Sequence, residues 1–64
     1  MVNINGELKN VAGMSITEYL KTTEFNLNRI AVECNGEIVF KKDYETYIFK
    51  DGDKVEIVGF VGGG

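Results

Sequence analysis

The 64 residues carry 44% hydrophobic and 11% aromatic side chains. That is enough for one small core and argues against disorder, although a chain this short buries only about 60% of the surface it exposes when unfolded. A formal net charge of −3 argues against nucleic acid, which needs a basic surface to displace counterions, and favours an electropositive protein partner. No apolar run approaches the ~18 residues of a membrane span. No basic and apolar leader opens the chain and no histidine occurs in it, so a cytoplasmic protein without a catalytic triad is expected.

Val2 and Ile4 alternate with polar residues, the mark of a half-buried strand. Asn5-Gly6 follows, the dipeptide that favours a type I′ hairpin turn because both central residues need positive φ. Residues 7–11 are expected to return as a second strand anchored by Leu8 and Val11, whose spacing breaks strict alternation and calls for a bulge or an early end. Ser15-Ile16-Thr17-Glu18 reads as a capping box, with Met14 and Tyr19 at the staple positions. Ile16, Tyr19, Leu20 and Thr23 fall on one helical face, so a helix is expected over 16–24, with Asn26 as a left-handed cap and Leu27 covering the helix end.

Ile30, Val32 and Cys34 mark a third strand, and a second Asn-Gly turn, Asn35-Gly36, leads to a short fourth strand carrying Ile38 and Phe40. Cys34 alternates with Ile30 and Val32, which makes it a small buried hydrophobe; with no second cysteine there is no internal disulfide and no metal-ligand spacing. Tyr44 is expected to plug the core beneath the polar corner 41–43, and residues 46–49 to add a few extended positions. Asp51-Gly52-Asp53 reads as a tight turn that lacks the acidic spacing of a calcium loop, so no metal is expected. Val55 and Ile57 then face the core, which puts Val58 and Phe60 on the opposite face. Two large apolar residues there form, with Val61, a candidate docking patch. The element order is ββαββ with a closing strand, an α+β fold with one helix across a mixed sheet of four to five strands.

The chain ends in Gly62-Gly63-Gly64. Glycine has the most backbone freedom to lose, so 62–64 are expected to form a mobile, side-chain-free tail on a domain of residues 1–61. Such a tail reaches roughly 10 Å when extended, at about 3.3–3.6 Å per residue. Gly62 and Gly63 could thread a narrow channel in a partner, carrying the Gly64 carboxylate to its active site. A carboxylate is a poor acyl donor until it is phosphorylated or adenylated, and this chain has no phosphate-binding loop of its own. A nucleotide-using partner would have to activate it.

Three stretches carry a resemblance that extends over the whole chain: 31–39, from Ala31 through Cys34-Asn35-Gly36 to Val39; 51–58, from Asp51-Gly52-Asp53 to Val58; and the terminal Phe60-Val61-Gly62-Gly63-Gly64. They resemble the sulfur carriers of thiamine biosynthesis, the ThiS family. Phe40 and Tyr44 depart from that family's usual proline and tryptophan, both in the corner away from the tail. The resemblance implies a ubiquitin-like β-grasp fold and a protein co-substrate in place of an enzyme, with no bound cofactor. It further implies that an ATP-dependent adenylating enzyme activates the Gly64 carboxylate. Sulfur from a cysteine desulfurase or sulfurtransferase then makes it a thiocarboxylate, and a thiazole synthase receives the sulfur. A molybdopterin-type carrier, a ubiquitin-like protein modifier and a β-grasp binding module with an inert tail are the alternatives to that function.

Overall fold

Both Asn-Gly dipeptides turn the chain as their chemistry requires. Asn5 and Asn35 take φ of 52° and 54°, and Gly6 and Gly36 follow at 87° and 86°. Positive φ at both central positions matches the right-handed twist of the flanking strands. In the computed structural model, which describes residues 1–60, the first turn joins β1 (Val2–Ile4) to β2 (Glu7–Lys9) and the second joins β3 (Ile30–Cys34) to β4 (Glu37–Val39). The final strand, β5 (Lys54–Gly59), enters between the two hairpins to give the sheet order β2-β1-β5-β3-β4. It runs parallel to β1, with Ile4 beside Val55, and antiparallel to β3, with Val32 opposite Ile57.

Among the described residues a single short α-helix, α1 (Ile16–Leu20), packs on one face of this sheet. Its capping box is present: the Glu18 amide donates to Ser15 Oγ at 3.0 Å, and the Ser15 amide donates to Glu18 Oε1 at 2.9 Å. The next amides at the helix start, which have no partner inside a helix, find the carbonyls of Tyr47 and Tyr44: Ile16 N donates at 3.1 Å and Thr17 N at 3.0 Å. The irregular segment before β5 is thereby tied to the helix start.

The helix stops well short of residue 24. Thr22 and Thr23 turn their hydroxyls back onto the carbonyls of Tyr19 and Leu20, at 2.7 and 2.8 Å, while their amides reach the same carbonyls. Paired β-branched residues with such back-bonding favour a tight terminal turn over further helix. Asn26 is not a left-handed cap either. At φ −90° it is extended, and its side chain accepts from Asn28 N at 2.8 Å to start a 3-10 turn over Leu27–Arg29.

The core gathers Val2, Ile4, Val32, Cys34, Val39, Val55 and Ile57 from the sheet, Ile16, Tyr19 and Leu20 from α1, and Tyr44 and Phe49 from the connection. Two strands differ from the expected reading. β2 takes the early end, at Lys9, but Leu8, expected as one of its apolar anchors, faces outward opposite Asn3. β4 turns Val39 inward, opposite Val32, so Ile38 and Phe40 point to solvent. The expected extension at 46–49 is a single bridge between Ser15 and Ile48.

Candidate functional site

β5 carries the chain from the core to its C-terminal end, and neighbours on both sides hold it. Asn5 acts as a surrogate strand: its amide donates to Val55 O at 2.9 Å, its Nδ2 to Ile57 O at 3.1 Å, and its Oδ1 accepts from Ile57 N at 2.8 Å. Across the strand, Asn35 N donates to Lys54 O at 2.7 Å, and Asn35 Oδ1 accepts from Lys54 N at 2.9 Å. Beyond the strand's end, Phe60 N donates to Arg29 O at 2.7 Å, which carries the ladder one residue further. The Phe25 ring lies against Gly59. These holding roles of Asn5 and Asn35 escaped the sequence reading, which took both only as turn formers; an amide side chain at the turn was the available signal.

With Val55 and Ile57 inward, alternation puts Lys54, Glu56, Val58 and Phe60 on the outer face. Val58 is 56% exposed and Phe60 60%, so both members of the candidate patch face solvent. Val61, its third member, and Gly62, Gly63 and Gly64 lie outside the described residues. The patch is wider than the sequence reading made it. Register sets Ala31 opposite Val58, and exposed Ile38 on β4 and Phe40 just past its end add to it, at 62% and 63%. The signal missed was the phase of β4, where one inward valine forces both neighbours out. A shallow depression of about 80 Å³ lies among Ala31, Glu33, Ile38, Glu56 and Val58; an open groove of about 510 Å³ runs along Asn3, Asn5, Lys54 and Glu56 on the other side of β5.

Cys34 sits on the opposite, core-facing side and is buried. Burial pushes its thiol up from the ordinary 9.0, and Asp53 adds to the rise, while a hydrogen bond with Tyr47 partly offsets it. The Tyr47 hydroxyl is pushed up to about 12, by burial first and then by Cys34, Asp53 and Glu37. Burial also raises Tyr44. A raised thiol pKa with no access is the reverse of what a reactive cysteine needs. We expect native Cys34 to react with a thiol-specific disulfide reagent at pH 8 at least ~100-fold more slowly than in urea; a fast native reaction would restore it as a sulfur-handling group. The three groups hold their protons more tightly folded than unfolded. Their stabilisation is therefore complete below about pH 9 and is lost as pH rises toward 12, so the urea midpoint falls over that window.

The model of the ThiS family matches residues 2–64. A thiazole synthase of Paramagnetospirillum magneticum is 45% identical over 62 residues, which are 95% of this chain but 19% of that protein; the chain spans about a fifth of the thiazole synthases it matches. An uncharacterized protein of Porphyra purpurea, ycf40, is 38% identical over 64 residues and is covered to 90% of its length. The crystal structure of a thiamine biosynthesis protein (ThiS) from Geobacter metallireducens superposes with a TM-score of 0.77 at 30% identity, covering 98% of this chain and 97% of that one. A mixed five-stranded sheet crossed by one helix, shared along its full length with that solved structure, and a family match that runs to the last glycine show that the chain belongs to the ThiS family of ubiquitin-like sulfur carriers.

Proposed function

We propose that the chain carries sulfur for thiazole formation in thiamine biosynthesis, with its chemistry on the Gly64 carboxylate. An ATP-dependent adenylating enzyme activates that carboxylate. Sulfur supplied as a persulfide by a cysteine desulfurase or sulfurtransferase displaces AMP to give an acyl disulfide. A second thiol cleaves its S–S bond, leaving as a disulfide with the sulfur donor, and the thiocarboxylate so released delivers sulfur to a thiazole synthase. The chain is the co-substrate throughout and binds no cofactor itself; ATP is consumed by the partner.

The observation that carries this reading is the family match through residue 64, which takes in all three terminal glycines. Two others support it. The strand leading to the tail presents Val58 and Phe60 to solvent, a surface on which a partner could seat while the tail enters its active site. Proteins named thiazole synthase contain a segment like this chain, as expected if carrier and synthase work on one another.

Incubation with ATP, the cognate adenylating enzyme, cysteine and a desulfurase is expected to shift the intact mass by one oxygen-for-sulfur exchange at the C-terminus. Lysine-linked adducts would instead make the chain a protein modifier, and an unchanged mass would make the tail inert.

A further inference from the structure

The outer face of the sheet contains an arrangement that folding alone does not favour. Glu33 on β3 stands directly opposite Glu56 on β5. The bonds from Asn35 N to Lys54 O and from Phe60 N to Arg29 O mark closely bonded pairs, and alternation makes Glu33 and Glu56 another. Cα atoms in such a pair lie about 5.5 Å apart, and like charges placed directly opposite destabilise a sheet. No ion pair relieves them among the described residues, although Lys54 stands two positions away on the same face. The rest of the depression beside them is apolar: Ile38 lies opposite Glu33 on the other side and the next row is Ala31 and Val58, with exposed Phe40 and Phe60 beyond, just past the strand ends. The depression between these residues, about 80 Å³, has room for about two or three waters' worth of volume, enough for the head of a long side chain.

We propose that Glu33 and Glu56 together receive a basic side chain, arginine or lysine, from the protein that docks on this face, with Val58, Ile38, Phe40 and Phe60 forming the apolar rim around it. This rests on the carrier reading above and specifies the partner's chemistry at the docking surface. The occupant is a protein surface with one cation set among apolar groups. Such a cation turns the repulsion of the free protein into two charge-assisted contacts. The rim keeps water from screening them, so the pair contributes to affinity and to register. The acidic chain as a whole speeds the same encounter.

The test uses a signature that pure folding roles cannot produce. Glu33→Lys converts the like-charged pair to an opposite-charged one, so the melting temperature of the free protein rises. The same substitution places a cation against the partner's cation, and KM for the carrier in adenylation by the cognate enzyme rises at least ~10-fold, an effect that shrinks with added salt. Glu56→Lys behaves alike. Glu45→Lys makes the same change in net charge from an exposed position near Tyr44, on the side of α1, and leaves KM within about twofold. Unaltered KM in both Glu33→Lys and Glu56→Lys, beside normal adenylation of the wild type, overturns this proposal alone. A wild type that is not adenylated overturns the carrier reading and this proposal with it. Sedimentation showing a wild-type dimer that either substitution dissociates assigns the face to a second copy of the chain and overturns the basic partner.

Discussion

Removal of Gly64 is expected, on the proposed carrier function, to abolish adenylation and sulfur loading while leaving the melting temperature of the domain unchanged. The truncated chain still ends in a glycine carboxylate, so its intrinsic reactivity is untouched. What changes is reach: the acyl carbon falls one residue short, about 3.3–3.6 Å. A reaction that needs its atoms roughly 3–3.5 Å apart tolerates little of that, and a misplacement of about 1 Å can already cost ~100-fold. A loss of at least that size is expected in pyrophosphate release. Stability is separate, because every buried residue in the described part of the chain lies between Val2 and Ile57. The two measurements therefore part company, one collapsing and one holding still. Loading at the wild-type rate by the shortened chain would place the chemistry somewhere other than the terminal carbonyl. A lowered melting temperature would show that the tail also helps hold the fold.

Much of this architecture is legible in the residues because local signals and packing agree. Asn-Gly at 5–6 and 35–36 has one good solution on an antiparallel pair, and both turns adopt it. Ser15 and Glu18 can satisfy each other only at a helix start, and they do. The failures come where local propensity and tertiary context diverge. Residues 21–24 have a helical pattern, but two adjacent threonines offered the last carbonyls a closer partner. In β4 three apolar residues run together, 38–40, so periodicity cannot give the phase; the pairing of Val39 with Val32 does. That same pairing decides the extent of the exposed apolar patch, since it turns Ile38 and Phe40 outward. The acid pair of Glu33 and Glu56 is invisible in sequence for a related reason. The two residues are 23 positions apart, and only the β3–β5 register makes them neighbours. The expected roles of Gly62, Gly63 and Gly64 rest on chemistry and not on a register, and these residues lie outside the described part of the chain.

Phe49→Ala is expected to unfold much of the population at 37 °C, although Phe49 belongs to no strand or helix. Its side chain is 1% exposed and is the largest of the fully buried ones. It meets Tyr19 of α1 edge-on at 6.0 Å and Tyr47 at 6.4 Å. Edge-on aromatic pairs add about 0.5–1.5 kcal/mol beyond burial, and truncating a buried phenylalanine costs about 3–5 kcal/mol in all. A domain of this length has only about 3–10 kcal/mol of total stability, at ~0.05–0.15 kcal/mol per residue, so the loss consumes a large part of it. The backbone here raises the stakes: Phe49 N donates to Met14 O and Phe49 O accepts from Gly13 N, both at 2.9 Å, next to the capping box. A ring lost at this point loosens the connection that satisfies the first amides of α1, so helix and sheet separate together. Urea titration followed by circular dichroism gives the cost directly, and a value below about 1 kcal/mol would mean that Phe49 is not the ring that joins them. Phe60→Ala supplies the contrast. It removes a ring of the same size from a 60% exposed position, and surface substitutions of that kind change stability by within about 0.5 kcal/mol. Two phenylalanines eleven positions apart thus differ in kind, one joining helix to sheet and the other facing solvent.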